Sequence, residues 1–166
     1  MRLRNLLVGV LLSAGMALGA AAAGGPKPVS GKKFDALASS ALEAMKAKAA
    51  ELKIGGVAVV NFAPGDAIAG WSSKMAVVGR MKDEPTATSK GNNLLGVAYA
   101  KSAEMARTLV NSGTSGGTPM TGEFGWQGGV VERVKGGTLI VSFSGGKSED
   151  DVQVSKAGLA VMKAGL

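Results

Sequence analysis

Gly136-Gly137-Thr138-Leu139-Ile140-Val141-Ser142-Phe143-Ser144-Gly145-Gly146-Lys147-Ser148-Glu149-Asp150-Asp151 is the stretch that decides the architecture. Leu139, Val141 and Phe143 fall on one face at period two, as in a half-buried strand. Gly145-Gly146 ends that strand, because paired glycines accept the backbone angles of a sharp turn. Ser148 and Asp151 have the spacing of a capping box, and Glu149 and Asp150 suit the positive end of a helix dipole. A last helix follows through Val152, Leu159, Val161 and Met162. Strand, glycine turn and capped helix mark an α/β chain and by themselves specify no function.

Upstream, Gly128 to Val134 and Thr138 to Ser144 read as strands joined by Lys135-Gly136-Gly137, a hairpin turn. Before them, Gly113 to Gly122 is a loop of ten residues with four glycines and Pro119, a length often reserved for function. A long helix begins at Asn93 or Leu94 and runs to near Asn111. Its main stripe is Leu95, Ala98, Ser102, Met105 and Leu109, with Tyr99, Ala103, Ala106 and Val110 as a flank. Lys101, Glu104, Arg107 and Thr108 form the wetter side. Asp83 to Asn92 is a polar connection. Ala67 to Trp71 and Met75 to Met81 are candidate strands without clean alternation, and Val57 to Phe62 is an apolar run that fits a central strand. Phe34 to Lys53 is the first helix, with Leu37, Ala41, Met45, Ala49 and Leu52 at helical spacing and Gly55-Gly56 as its stop. Helix, strands, helix, hairpin, helix is an order that yields an antiparallel sheet with helices packed on it.

The N-terminus carries a processing signal. Arg2 and Arg4 form a basic region, Leu6 to Leu18 an apolar one, and Ala20 to Ala23 supply small residues for cleavage near Ala22 or Ala23. Residues 1–23 are therefore expected to be a signal peptide, 24–33 a flexible leader, and 34–166 a single domain, periplasmic or secreted. With no cysteine, the fold does not lean on disulfides and a lipid-anchored product is excluded. Of 19 basic residues two lie in the signal, leaving 17 against 12 acidic ones, a moderate excess that reads mainly as solubility. No aromatic-interleaved basic stripe points to nucleic acid.

Absences decide much of the chemistry. Without histidine or cysteine there is no Ser-His-Asp or Cys-His arrangement, no thiolate and no ordinary zinc or iron–sulfur site. The acids Glu149, Asp150 and Asp151 read most simply as caps and dipole partners; weak binding of a hard cation is a minor alternative. The glycines of Gly113 to Gly117 follow a helix and lack the Gly-Lys-Ser/Thr ending of a phosphate loop.

Taken together, the C-terminal stretch, Ala98-Tyr99-Ala100-Lys101-Ser102-Ala103-Glu104-Met105-Ala106 and Gly128-Gly129-Val130-Val131 resemble the GlcG/HbpS family of small haem-binding or haem-related domains. The order and spacing of the three segments carry the resemblance, which spans roughly residues 35 to 164. It implies a profilin-like α/β (α+β) fold with an antiparallel sheet of about five strands flanked by helices, and a homo-oligomer. It also implies haem, or another small apolar anion, as the ligand. A histidine axial ligand cannot exist in this chain. The substitutes are Tyr99, methionines such as Met75, Met105 and Met120, or the weak oxygen donor Thr114.

Each of these residues has a plainer structural reading. Tyr99 is equally a core-flank aromatic with its hydroxyl at the surface, and Met105 a core filler. Trp126 either lines a flat apolar ligand or anchors the loop. Lys101, where the family's helix carries its lysine, either meets a ligand carboxylate or is an exposed lysine paired with Glu104 at i,i+3. The leading expectation is an exported binding protein taking haem or a related tetrapyrrole. The alternatives are a structural or sensory module with an exported or membrane protein partner, and an enzyme acting on a small hydroxy acid.

Overall fold

A computed structural model describes residues 30–166; the expected signal peptide and most of the leader lie outside them. Ser30 caps the first helix by accepting a hydrogen bond from the Lys33 backbone N–H, so α1 (Gly31–Glu51) starts three residues before Phe34 and takes in the end of the expected leader. Phe34, Ala38, Ala41, Leu42, Met45 and Ala49 form its buried stripe. This is the helical spacing read from the sequence, rotated slightly so that Leu37 and Leu52 lie at its margin.

The sheet has four strands, β1 (Gly56–Pro64), β2 (Ser72–Val78), β5 (Gly129–Val134) and β6 (Gly137–Ser144), in the antiparallel order β2-β1-β6-β5. A separate ribbon of two short strands, β3 (Lys82–Asp83) and β4 (Asn92–Asn93), stands beside it. The expected count of about five is thus four plus a ribbon. The central strands β1 and β6 run side by side from Val57 opposite Ser144 to Pro64 opposite Gly137. Every residue of β6 is buried because both faces of the sheet are covered.

The pleat sorts the side chains. Ala58, Val60, Phe62, Leu139, Val141 and Phe143 meet α1 and α3 (Ser148–Gly165) in the larger core. Val57 and Val59 face the other way, against Leu94 and Ala98 of α2 (Leu94–Thr108). On that second face the strands carry Asn61 and Ser142, and the helix carries Ser102. Ser102 and Ser142 hydroxyls lie 2.9 Å apart, and Asn61 Nδ2 donates to Ser102 at 3.1 Å.

Three local expectations are corrected. Residues 67–71 form no strand: the carbonyls of Gly65 and Asp66 just before them are taken by the Arg133 guanidinium, and the chain runs along the surface, with Ile68 and Trp71 half-buried, until β2 begins at Ser72. α2 stops at Thr108 rather than near Asn111, because Leu109 adopts a left-handed conformation (φ 57°); expected on the buried stripe, it stands 45 % exposed. The Ser148–Asp151 capping box does not form. Lys147 occupies the N-cap without a side-chain bond, and the Asp151 carboxylate turns inward.

Candidate functional site

Two cavities meet at the β3–β4 ribbon. The larger is a cleft of about 780 Å³ running along the ribbon. Gly79 (φ +75°) turns the chain out of β2, and an Arg80–Val78 bridge holds the bend. That bend presents Arg80, Met81 and Lys82 to one wall, while Lys90 and Pro85 come from the connection between the ribbon strands. Arg80 is fixed twice, donating from Nε to Asp83 at 2.8 Å and from a terminal nitrogen to the Gly145 carbonyl at 2.6 Å. With Asn92 also donating to it, the Asp83 carboxyl is held below its ordinary value, chiefly by the Arg80 hydrogen bond. Lys82 pairs with Glu84 at 2.9 Å. Lys90 is left as the cation of this lining with no carboxylate partner among the described residues. Met81, 48 % exposed, supplies its one thioether.

Asp83 and Asn92 also form a wall of the second cavity, of about 110 Å³, which lies deeper. On its floor Lys101 Nζ donates to Asp151 Oδ2 and to the Phe143 carbonyl, both at 2.8 Å. Both residues are 3 % exposed. Asp151 Oδ1 accepts the Gly146 N–H at 2.8 Å, so one carboxylate ties α2, the end of β6 and the start of α3 together. Burial lowers the Lys101 ammonium and raises the Asp151 carboxyl, while each partner's opposite charge works against that drift. Only glycine fits at position 128, where φ is +137° and a Cβ would come within 2.2 Å of Lys101 Nζ.

The residues singled out from the sequence do not gather at one place. Lys101 and Trp126 line the deeper cavity together. Lys101 is not an exposed lysine paired with Glu104: its partner is Asp151, and Glu104 is itself buried, accepting the Gly113 N–H at 2.8 Å. The wetter side expected for α2 is therefore buried at Lys101 and Glu104, because the turn after β6 and the chain of residues 109–128 close over it. Tyr99 packs beside Val57 and Val59 with its hydroxyl 3.1 Å from Ser73 Oγ, and Met105 is fully buried. Thr114 is exposed and donates to the Asn111 carbonyl. Met120 is 58 % exposed, and Trp126 stacks obliquely on Phe124 with ring centroids 4.9 Å apart.

Sequence reasoning passed over Arg80, Met81, Lys82 and Lys90. Their signal was a basic pair around a methionine and a further lysine within a polar connection, which also reads as a solvated loop. Asp151 was visible as an acid, but nothing local ties it to a lysine fifty positions earlier.

Sheet order, helices on both faces and the clefted ribbon define an α+β domain of the profilin-like type. Among solved structures this fold is similar to the crystal structure of the PduOC:heme complex, with 15 % identity, 81 % of this chain and 94 % of that chain covered, and a TM-score of 0.50. The likeness is one of fold. No family model matches the sequence, and no curated protein matches it.

Proposed function

We propose that this protein binds haem or a related tetrapyrrole in the cleft beside the β3–β4 ribbon, as an exported protein freed of residues 1–23. The observation that carries the reading is the cleft itself. Its volume of about 780 Å³ suits a ligand of that size, and three cations and one thioether stand in its lining. Lys90, the cation without a carboxylate partner there, meets a ligand carboxylate. Arg80 and Lys82 act through the parts of their side chains not engaged by Asp83 and Glu84. Met81 is the soft donor for iron, and Pro85 and the lysine stems supply apolar contact. When bound, the group would supply an iron centre held without imidazole. The solved structure that shares the fold is a heme complex, which agrees with this reading.

Hemin titration of the chain starting at Gly24 tests it. The expected result is a saturable, stoichiometric Soret shift, altered in Met81→Ala and weakened in Lys90→Glu. A titration indistinguishable from that of an inert control protein refutes it. A second reading, a module that docks a protein partner, draws on the exposed Met120, Phe124 and Trp126.

A further inference from the structure

The deeper cavity holds polar groups that the cleft does not use. Ser144 is 4 % exposed and lines it, yet no described group bonds its hydroxyl. Two residues earlier on the same face of β6, the Ser142 hydroxyl is fully engaged, donating to the Ala98 carbonyl at 2.8 Å and lying 2.9 Å from Ser102. An ammonium has three N–H donors, and Lys101 uses two of them on Asp151 and Phe143. Ser148, at the start of α3, adds a second hydroxyl that is free of described partners. These are donors without acceptors around a space of about 110 Å³.

Charge narrows what fits there. Lys101 is balanced by Asp151, and the second carboxylate of the wall, Asp83, already holds Arg80 and Asn92. An added anion would face two carboxylates with no unpaired cation in the lining, and an added cation would compete with ammonium and guanidinium groups already seated. The guest is therefore uncharged and accepts hydrogen bonds. At about 30 Å³ for each water-sized group, the space holds about three to four non-hydrogen atoms. The Trp126 ring at the rim offers an apolar cover for a methyl or methylene.

We propose that this cavity is a binding site for a small uncharged carbonyl compound of carboxamide size, whose oxygen accepts from Lys101 and Ser144. The proposal stands independently of tetrapyrrole binding in the outer cleft.

Acetamide and acetate make the test, since they share size and shape and differ in charge. Amide resonances of the ¹⁵N-labelled protein are followed during each titration. Acetamide is expected to shift the Gly128, Gly145 and Gly146 signals saturably, and acetate to act at least about tenfold more weakly. Ser144→Val, which fills the cavity with an apolar group, is expected to abolish the acetamide response. Trp126→Ala, at an exposed position, is expected to weaken it while leaving the spectrum dispersed, so the test stands even where Ser144→Val fails to fold. Acetate binding as well as acetamide, an absence of saturable shifts, or a folded Ser144→Val that responds like the parent would each overturn the proposal.

Discussion

Replacing Lys101 by methionine removes one charge from a pair that is almost wholly buried. Lys101 and Asp151 are each 3 % exposed and 2.8 Å apart, so the variant leaves a carboxylate in the interior with only the backbone N–H groups of Gly146 and Gly145 to stabilise it. The Phe143 carbonyl loses its donor as well. Breaking a buried pair from one side costs about 3–5 kcal/mol. That is a large part of the roughly 5–15 kcal/mol by which domains are stable. In a domain of this size it lowers the melting temperature by about 10–20 °C.

The loss also depends on pH, with a definite sign. Burial raises the Asp151 carboxyl, and the Lys101 charge that opposed this is gone in the variant. A carboxyl whose folded value lies above its unfolded one gives stability that is fully present below the unfolded value of about 3.8 and is lost as pH rises through the folded value. The difference between Lys101→Met and the parent should therefore be greatest near neutrality and shrink as the pH falls towards 4. Urea unfolding of both proteins at pH 7.5 and pH 4.5, followed by tryptophan fluorescence, measures it. A loss below about 1 kcal/mol at pH 7.5, or an equal loss at both pH values, would refute the argument, since the first is the scale of an exposed pair.

Two further outcomes follow from backbone geometry. Leu109→Gly should stabilise the domain by about 1 kcal/mol, because a left-handed leucine costs about 1–2 kcal/mol and this one is nearly half exposed; a lower urea midpoint would contradict that. Gly56→Ala should prevent folding or yield an aggregating product, since its Cβ would come within 2.0 Å of the Ser144 carbonyl across the central β1–β6 pair; a native far-ultraviolet spectrum with an unchanged midpoint would count against it.

Local pattern determined the elements. Period two in Leu139 to Phe143 and the helical spacing of Phe34 to Ala49 each place their own residues on a buried face, because an amphipathic element has one solution for its apolar side. The antiparallel α+β class followed from the order of those elements. The candidate site was less legible. Tyr99, Lys101, Met105, Thr114, Met120 and Trp126 were read as one set, and the fold separates them into a sheet contact, an ion pair, a core position and an exposed loop. Lys101 looked solvated because a helix seen alone shows only the face its apolar residues mark. Whether a lysine on the other side meets water depends on what chain closes over it, and here that chain comes from the turn after β6 and residues 109–128. The Arg80–Lys90 cleft and the Lys101–Asp151 floor are likewise products of tertiary structure. Their members are brought together by sheet order and a two-residue ribbon, and sequence spacing carries no record of distances across a sheet.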